Sequence, residues 1–318
     1  MRDARTGRED ELQELVQSLR RELDTRGERL SEAWTTEAVE DLRSGRLSGW
    51  YRPAGVGVGE IAFYSRRPGR IFGHVHVLPG PAAEERAQAL MDRLASDPEV
   101  RKLPLNLGVT GLSDAEEASV ASRFASTPGR AVVVREGLER RVDDPALLEA
   151  EPVPPGVAHV PIQEVTNEAL ADLDLRGFAN SEDARLFGST DSENLRQVEG
   201  ILQGNLGRFL DEASTGLLGS RGELAGLLLT VELTPHVGLF ADLVIDPPLR
   251  GQGLGRYLLR WGLRGLRALG HERARLWVTS GNEAARRLYD RLGFRSYARA
   301  LIFRQEPAIG SPHPQVER

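Results

Sequence analysis

The chain has 318 residues, 40% hydrophobic and 28% charged, a formal net charge of −6 and no cysteine. That length and balance predict a soluble globular protein with room for two cores, and the net negative charge argues against nucleic acid or an anionic membrane as partner. Without thiols there are no disulfides, thiolate metal sites or cysteine nucleophile, which fits a cytoplasmic protein; no apolar run approaches membrane-spanning length, and the opening MRDARTGRED lacks the apolar core of a signal peptide.

Residues 9–45 are helical in pattern, with Leu12, Leu15, Val16, Leu19 and Leu23, then Leu30, Trp34, Val39 and Leu42 after Gly27. Strand-like pieces follow at Trp50–Tyr51, Ile61–Tyr64 and Ile71–Val77, the last two joined by a turn at Arg67-Pro68-Gly69. A helix through Ala89, Leu90 and Leu94, a strand at Leu105–Val109, a helix at Ala115–Phe124 and a strand at Ala131–Val134 come next. An acidic, proline-rich run from Asp143 to Gly156 reads as a linker.

The informative stretch is Leu243–Leu259, LVIDPPLRGQGLGRYLL. An apolar run (Leu243, Val244, Ile245) stops at Asp246-Pro247-Pro248, because prolines cannot donate to a sheet ladder. A turn with Gly251, Gly253 and Gly255 leads into a helical stripe of Tyr257, Leu258, Leu259, Trp261, Leu263 and Leu266. Strand, glycine turn and helix N-terminus together aim backbone N–H groups at one point, a fit for phosphate. A Walker A loop is excluded because the single lysine is Lys102, and the dinucleotide pattern fails because its last glycine falls on Arg256 or Leu258. Downstream, Ala274–Thr279 reads as a strand, Asn282 as a helix cap, and Ala285, Leu288, Tyr289 and Leu292 as a stripe closed by Gly293. A last pair of strands is expected through Tyr297 and at Leu301–Phe303.

Arg250-x-x-Gly253-x-Gly255 after such a strand, followed by Asn282-x-x-Ala285-x-x-Leu288-Tyr289 and Gly293-Phe294, resembles the paired signatures of the GNAT superfamily of acyl-CoA-dependent N-acetyltransferases. The resemblance runs from about Val157 to Glu306. The first half repeats the element order: Phe72 matches Phe240, Pro79 matches Pro247 and Leu90 matches Leu258, each pair 168 positions apart (240 − 72). The expected fold is α/β (α+β, GNAT-like), with two tandem domains, each a mixed, mainly antiparallel sheet flanked by helices. The expected boundaries are a degenerate domain at 1–145, a linker at 146–160, an active domain at 161–306 and a disordered tail at 307–318. At the same offset Arg250, Gly251, Gly253 and Gly255 become Ala82, Ala83, Glu85 and Ala87, and Tyr289 becomes Ala121. Glu84 and Glu85 would repel a pyrophosphate, so the first copy is expected not to bind coenzyme A.

The resemblance implies acetyl-CoA as co-substrate and no metal. The backbone of Arg250, Gly251, Gln252, Gly253, Leu254, Gly255 and Arg256 would cradle the pyrophosphate, and Leu243, Val244 and Ile245 would pair with the pantetheine. Asn282 and Arg286 complete the implied coenzyme set, Asn282 also being a helix cap. Tyr289 would be the acid for the leaving thiolate, and Asp242 is the first choice of base, with Glu232 and His236 as rivals. The acceptor would be a primary amine of a small molecule. It would be selected by the polar region Arg176–Asn194, with Asn180, Glu182, Asp183, Asp191 and Glu193. A monomer or homodimer fits. The layout is also similar to that of the mycothiol synthases, although the strand before Val244 carries Leu239 and Asp242 and no glutamate. A non-catalytic coenzyme A-binding or interaction module, or an enzyme acetylating protein N-termini, are the alternatives.

Overall fold

A computed structural model describes residues 1–26, 34–55, 59–67, 70–145, 149, 151–179, 181–187 and 190–307. Leu30, the Pro68-Gly69 turn, Asn180 and the tail beyond 307 therefore lie outside the described residues, as does part of the expected linker. None of the described helices is long and apolar enough to cross a membrane.

In chain order the elements are β1 (Arg2–Asp3), α1 (Glu9–Thr25), α2 (Trp34–Ser44), β2 (Ser48–Arg52), β3 (Glu60–Arg67), β4 (Arg70–Val77), α3 (Ala83–Ser96), β5 (Leu105–Thr110), α4 (Asp114–Ala125) and β6 (Arg130–Arg141). They continue with β7 (Val157–Val160), α5 (Asn167–Phe178), α6 (Glu182–Phe187), α7 (Asp191–Leu202), β8 (Arg208–Phe209), β9 (Thr215–Gly219), β10 (Leu224–Thr234), β11 (Val237–Ile245), α8 (Leu254–Ala268), β12 (Arg273–Thr279), α9 (Glu283–Arg291) and β13 (Arg295–Gln305).

These elements form two compact units, Met1–Val134 with the chain from Ala300 onward, and Arg135–Arg299. The division falls inside β6, not in the proline-rich run at 146–160, and it returns the end of β13 to the first unit. Each unit thus finishes its sheet with a strand from the distant half of the sequence. In the first, Leu105–Gly108 of β5 pairs antiparallel with Ile302–Gln305 of β13. In the second, Arg135–Arg141 of β6 pairs antiparallel with all of β12. A ladder partner is a tertiary choice that no local pattern states, which is why composition placed the boundary at the prolines. The expected last pair of strands is one continuous strand, β13, because nothing between Tyr297 and Leu301 breaks extended backbone.

In the first unit, α3 buries Leu90, Met91 and Leu94 against Val75, Val77 and Leu107. Phe303 of β13 closes that core edge-on against Phe124 of α4, ring centres 5.4 Å apart. On the same sheet Leu12 and Leu15 of α1 cluster with Tyr51 and Ile61. In the second unit the order β12–β11–β10–β9–β7 is buried on both faces, and the period-two alternation of β10 divides its side chains between them. Leu228 packs with Leu258, Leu259 and Leu263 of α8. Leu227, Leu229 and Val231 pack with Leu170 and Leu173 of α5 and Val198 and Ile201 of α7. At about 1.5–3 kcal/mol for each fully buried Leu or Val, these two faces hold β10 and β11 rigidly in the middle of the unit.

Candidate active site

The first part of the site is a helix end that the protein leaves empty. Between Ile245 and α8 the prolines form a single 3-10 turn, Pro247–Leu249, and the chain then passes through Gly251 at φ 78° and Gly253 at φ 86°. Both lie in the left-handed region, and neither would meet a protein atom within 4 Å if given a Cβ, so backbone conformation, not crowding, calls for glycine. Gly253 is the N-cap of α8 and supplies no side-chain cap, and the first turn holds no acid. Every other α-helix for which the first turn is described carries at least one carboxylate there. The opening N–H groups of α8 have no acceptor within the helix, the first return bond being Tyr257 N–H to Gly253 O at 3.0 Å. Unfilled donors and the positive dipole end make a place for an anion.

The second part is an unfinished ladder. β11 and β12 run parallel and pair from Val237–Arg273 to Leu239–Arg275. Beyond that, β11 pairs with β10 as far as Ile245, and β12 pairs with β6 as far as Thr279. The two strands have separated by Leu243–Ile245, just before the glycine turn.

The third part is a buried group of acids around Tyr289. Pairing of β10 with β11 skips one residue between Asp242 and Phe240, so Ala241 is an extra residue in the ladder. A bulge of this kind resets the alternation and puts Asp242 on the face of Val244, towards α5. That helix lies hard against β11: a Cβ at Gly177 would sit 2.1 Å from Val244 Cγ1. One turn earlier on α5 is Asp174, 1% exposed, beside Asp242 at 6%. Burial pushes the Asp174 carboxyl up to about 6, Asp183 adding to the rise and the contact with Asp242 opposing it. Burial likewise raises Asp242 well above the usual carboxylate range, with the charge of Asp174 next in weight and the Leu243 N–H opposing. Asp183 of α6 is also buried and accepts from the Thr279 hydroxyl at 2.6 Å. Tyr289, 8% exposed, has its phenol raised by burial, then by Asp183 and Asp242, with Arg135 pulling the other way. Arg135 stands opposite Thr279 on β6 and donates to Trp277 O at 3.3 Å.

Of the residues named from sequence, Asp242 and Tyr289 are thus brought into one electrostatic neighbourhood, with Leu243, Val244 and Ile245 on the separated strand. Asn282 caps α9, its Oδ1 accepting from Ala285 N–H at 3.2 Å. Several expected phosphate or coenzyme contacts are engaged elsewhere. Arg250 donates to the carbonyls of Ile245 and Gly177, locking the turn to α5. Arg256 lies 3.3 Å from Glu151, and Arg286 lies 3.1 Å from Glu136. The rival bases are remote from the group: Glu232 pairs with Arg208 at 2.6 Å, and His236 lies 3.7 Å from Glu272 in an exposed turn. Asp174, Thr279 and Arg135 were not foreseen. Asp174 had a legible signal, an acid on the apolar stripe of α5 between Leu170 and Gly177; Arg135 had none, because it sits in the expected first domain.

Residues 181–294 match the family model described as Acetyltransferase (GNAT) family. The mycothiol acetyltransferase of Thermomonospora curvata is 28% identical over 236 residues, 74% of either chain. Two Streptomyces mycothiol acetyltransferases match over 99 residues, 32% of their own length. The fold is similar to that of a GCN5-related N-acetyltransferase from Sphaerobacter thermophilus (TM-score 0.58, 17% identity, 94% of each chain covered). It is also similar to that of a tandem GNAT protein from the clavulanic acid biosynthesis pathway (TM-score 0.53, 19% identity, 93% of this chain and 95% of that one).

Proposed function

We propose that this chain, which carries a GNAT acetyltransferase domain in a tandem layout, transfers an acetyl group from acetyl-CoA to the primary amine of a small molecule, using the Arg135–Arg299 unit alone. The observation that carries the reading is the pairing of an unfilled helix N-terminus with the end of an unfinished parallel ladder. It fits a ligand with a diphosphate at one end and amides along its length. N–H groups from Gly251 to Arg256 would hold the phosphates, and backbone of Leu243–Ile245 would meet the pantetheine. Acetyl-CoA supplies the activated acyl group when bound.

The protein's own task is proton movement. An alkyl ammonium of pKa about 10.4 must lose a proton before it can attack, at a cost of roughly 4–5 kcal/mol at pH 7. Asp242 is the base in this reading, its affinity for a proton increased by burial. Tyr289 Oη is the acid for the departing sulfur; burial raises the phenol above its ordinary range, so it stays protonated at neutral pH and donates to the sulfur as charge develops there. Arg135 limits that rise and stabilises the phenolate left behind. The name of the Thermomonospora curvata relative puts mycothiol-type amines first among the acceptors to try.

The test is calorimetric titration of the intact protein with coenzyme A, followed by a panel of primary amines with acetyl-CoA and release of free thiol as readout. One coenzyme per chain and turnover on at least one amine are expected. No binding, or two coenzymes per chain, would overturn the reading.

A further inference from the structure

Asp174 takes no part in the mechanism above, yet it is among the most deeply buried charged groups of the chain, at 1% exposure. Neither of its carboxylate oxygens receives a hydrogen bond from an N–H or O–H among the described residues, and Asp242 Oδ2 receives none either. An ionised carboxylate with no donor is costly to bury. The two buried carboxyl groups nevertheless neighbour each other where α5 lies against β11, one turn before Gly177 and two residues before Val244, and each alters the other's hold on a proton. Two bare carboxylates cannot satisfy one another, since each only accepts; a carboxyl and a carboxylate can.

We propose that Asp174 is the second half of the site's base: Asp174 and Asp242 hold one proton between them, and the single negative charge that remains receives the ammonium of the acceptor and takes up the proton it must lose. The proposal rests on the acetyltransferase reading above. The groups facing the pair fix its charge. Asp183 from α6 is negative and is held by Thr279 of β12, Arg135 from β6 is positive, and Tyr289 from α9 is neutral. Asp183 and Arg135 cancel, so the pair's one charge is the net charge of the pocket, and its complement is a monocation. The class of acceptor is therefore an amine that arrives protonated, not an aromatic amine that is neutral at pH 7.

The protons balance. R–NH3⁺ gives one proton to the pair, whose charge goes from −1 to 0, and R–NH2 forms. Its nitrogen bonds to the acetyl carbonyl carbon as the carbon–sulfur bond breaks. Sulfur leaves with the electron pair and takes the Tyr289 proton, the second nitrogen proton returns to the phenolate, and the pair releases its extra proton to water. Burial raises the affinity of the remaining single anion for a proton above that of an exposed aspartate, while the hydrogen bond from its neighbour opposes the rise, which suits a base working near neutrality.

The experiment uses the intact protein and three variants, Asp174→Asn, Asp242→Asn and, as control, Asp172→Asn, which lies exposed on α5 beside Arg176. Infrared spectra at pH 7 should show the C=O stretch of a protonated buried carboxylic acid in the wild type and in Asp172→Asn, and its loss from both other variants. Absence of the band from the wild type, or its survival in Asp174→Asn, overturns the pair. With acetyl-CoA and cysteamine, spermidine or tyramine, Asp174→Asn should lower kcat/KM roughly tenfold to a hundredfold. It should also move the acid limb of the pH profile to higher pH, because the remaining carboxylate has lost the carboxyl O–H that stabilised its charge; a merely structural Asp174 would leave that limb in place. If the wild type turns over and Asp174→Asn keeps its profile, the pair fails and the acetyltransferase reading stands. If the band behaves as described and no amine is acetylated, the reading fails and the base role falls with it.

Discussion

Both units run an antiparallel sheet into a parallel pair of strands and then a helix, but they finish that arrangement differently. In the Arg135–Arg299 unit the parallel ladder stops after Leu239–Arg275. In the other, β4 and β5 stay paired from Ile71–Leu105 to His76–Thr110, and the Thr110 hydroxyl contacts both His74 and His76, at 3.0 and 2.9 Å. Desolvation pushes the two imidazoles down to about 3 and about 4, so they remain neutral fillers of that seam. The helix ends differ as well. Against the empty N-terminus of α8, α3 carries Glu84 and Glu85 in its first turn, and Glu84 is held by Ser119 and Arg123 at 2.7 and 2.5 Å. One topology therefore leaves a strand end and a helix end open or closes both into a core, depending on whether a ladder is completed and a helix end is filled.

The harshest way to break the comparison is Tyr289→Phe, since the first unit has no phenol at that place: counted from the helix caps Asn282 and Ser113, the counterpart of Tyr289 is Val120. Loss of the proton donor should cut kcat by about 10²–10⁴-fold while the coenzyme A dissociation constant stays the same. Unchanged turnover would remove the functional asymmetry. Next in size is Gly253→Ala. Holding an L-residue left-handed costs about 1–2 kcal/mol, and the new Cβ projects where no protein atom lies within 4 Å, which is where a phosphate would approach. Coenzyme A affinity should fall tenfold or more; an unchanged value would mean the anion sits elsewhere.

A smaller effect follows from pH. Asp242 and Asp174 bind protons more tightly in the folded chain than in the unfolded one. Between the unfolded and folded values the native state therefore holds more protons, and stability falls as pH rises. The penalty is complete only above the folded values. Asp242→Asn removes it and leaves an amide that can donate to Asp174, so the variant should exceed the wild type by about 1–3 kcal/mol at pH 8, with the gap closing towards pH 4. Urea midpoints across that range measure it, and a gap that widens on acidification would contradict the assigned direction.

How much of this was legible depended on whether the cause was local. The glycine turn and the α8 stripe are local, and so were visible in Leu243–Leu266. The face of Asp242 depends on the bulge at Ala241, which is a relation to β10 and not a property of β11. Arg135 reaches Tyr289 and Asp183 only because β6 pairs with β12, more than a hundred residues away. The repeat offset of 168 also fails at the turn. The structural counterpart of Gly253 is Ala82, the N-cap of α3, 171 positions earlier (253 − 82), and not Glu85. The second copy thus has three more residues before its helix, and these include the glycines.

That counterpart gives the mildest test. Ala82 sits at φ 55°, the one left-handed non-glycine residue among those described, and its side chain is exposed. Ala82→Gly therefore loses no packing, relieves about 1–2 kcal/mol of left-handed strain and adds about 0.5–1 kcal/mol of unfolded-chain entropy. The net gain should be about 0.5–1 kcal/mol, read as a higher urea midpoint. Coenzyme stoichiometry should stay at one per chain, because the Glu84 carboxylate and the His76–Thr110 end of the ladder are untouched. A second bound coenzyme in Ala82→Gly would mean that one backbone angle, not the filled helix end or the completed ladder, separates the two units.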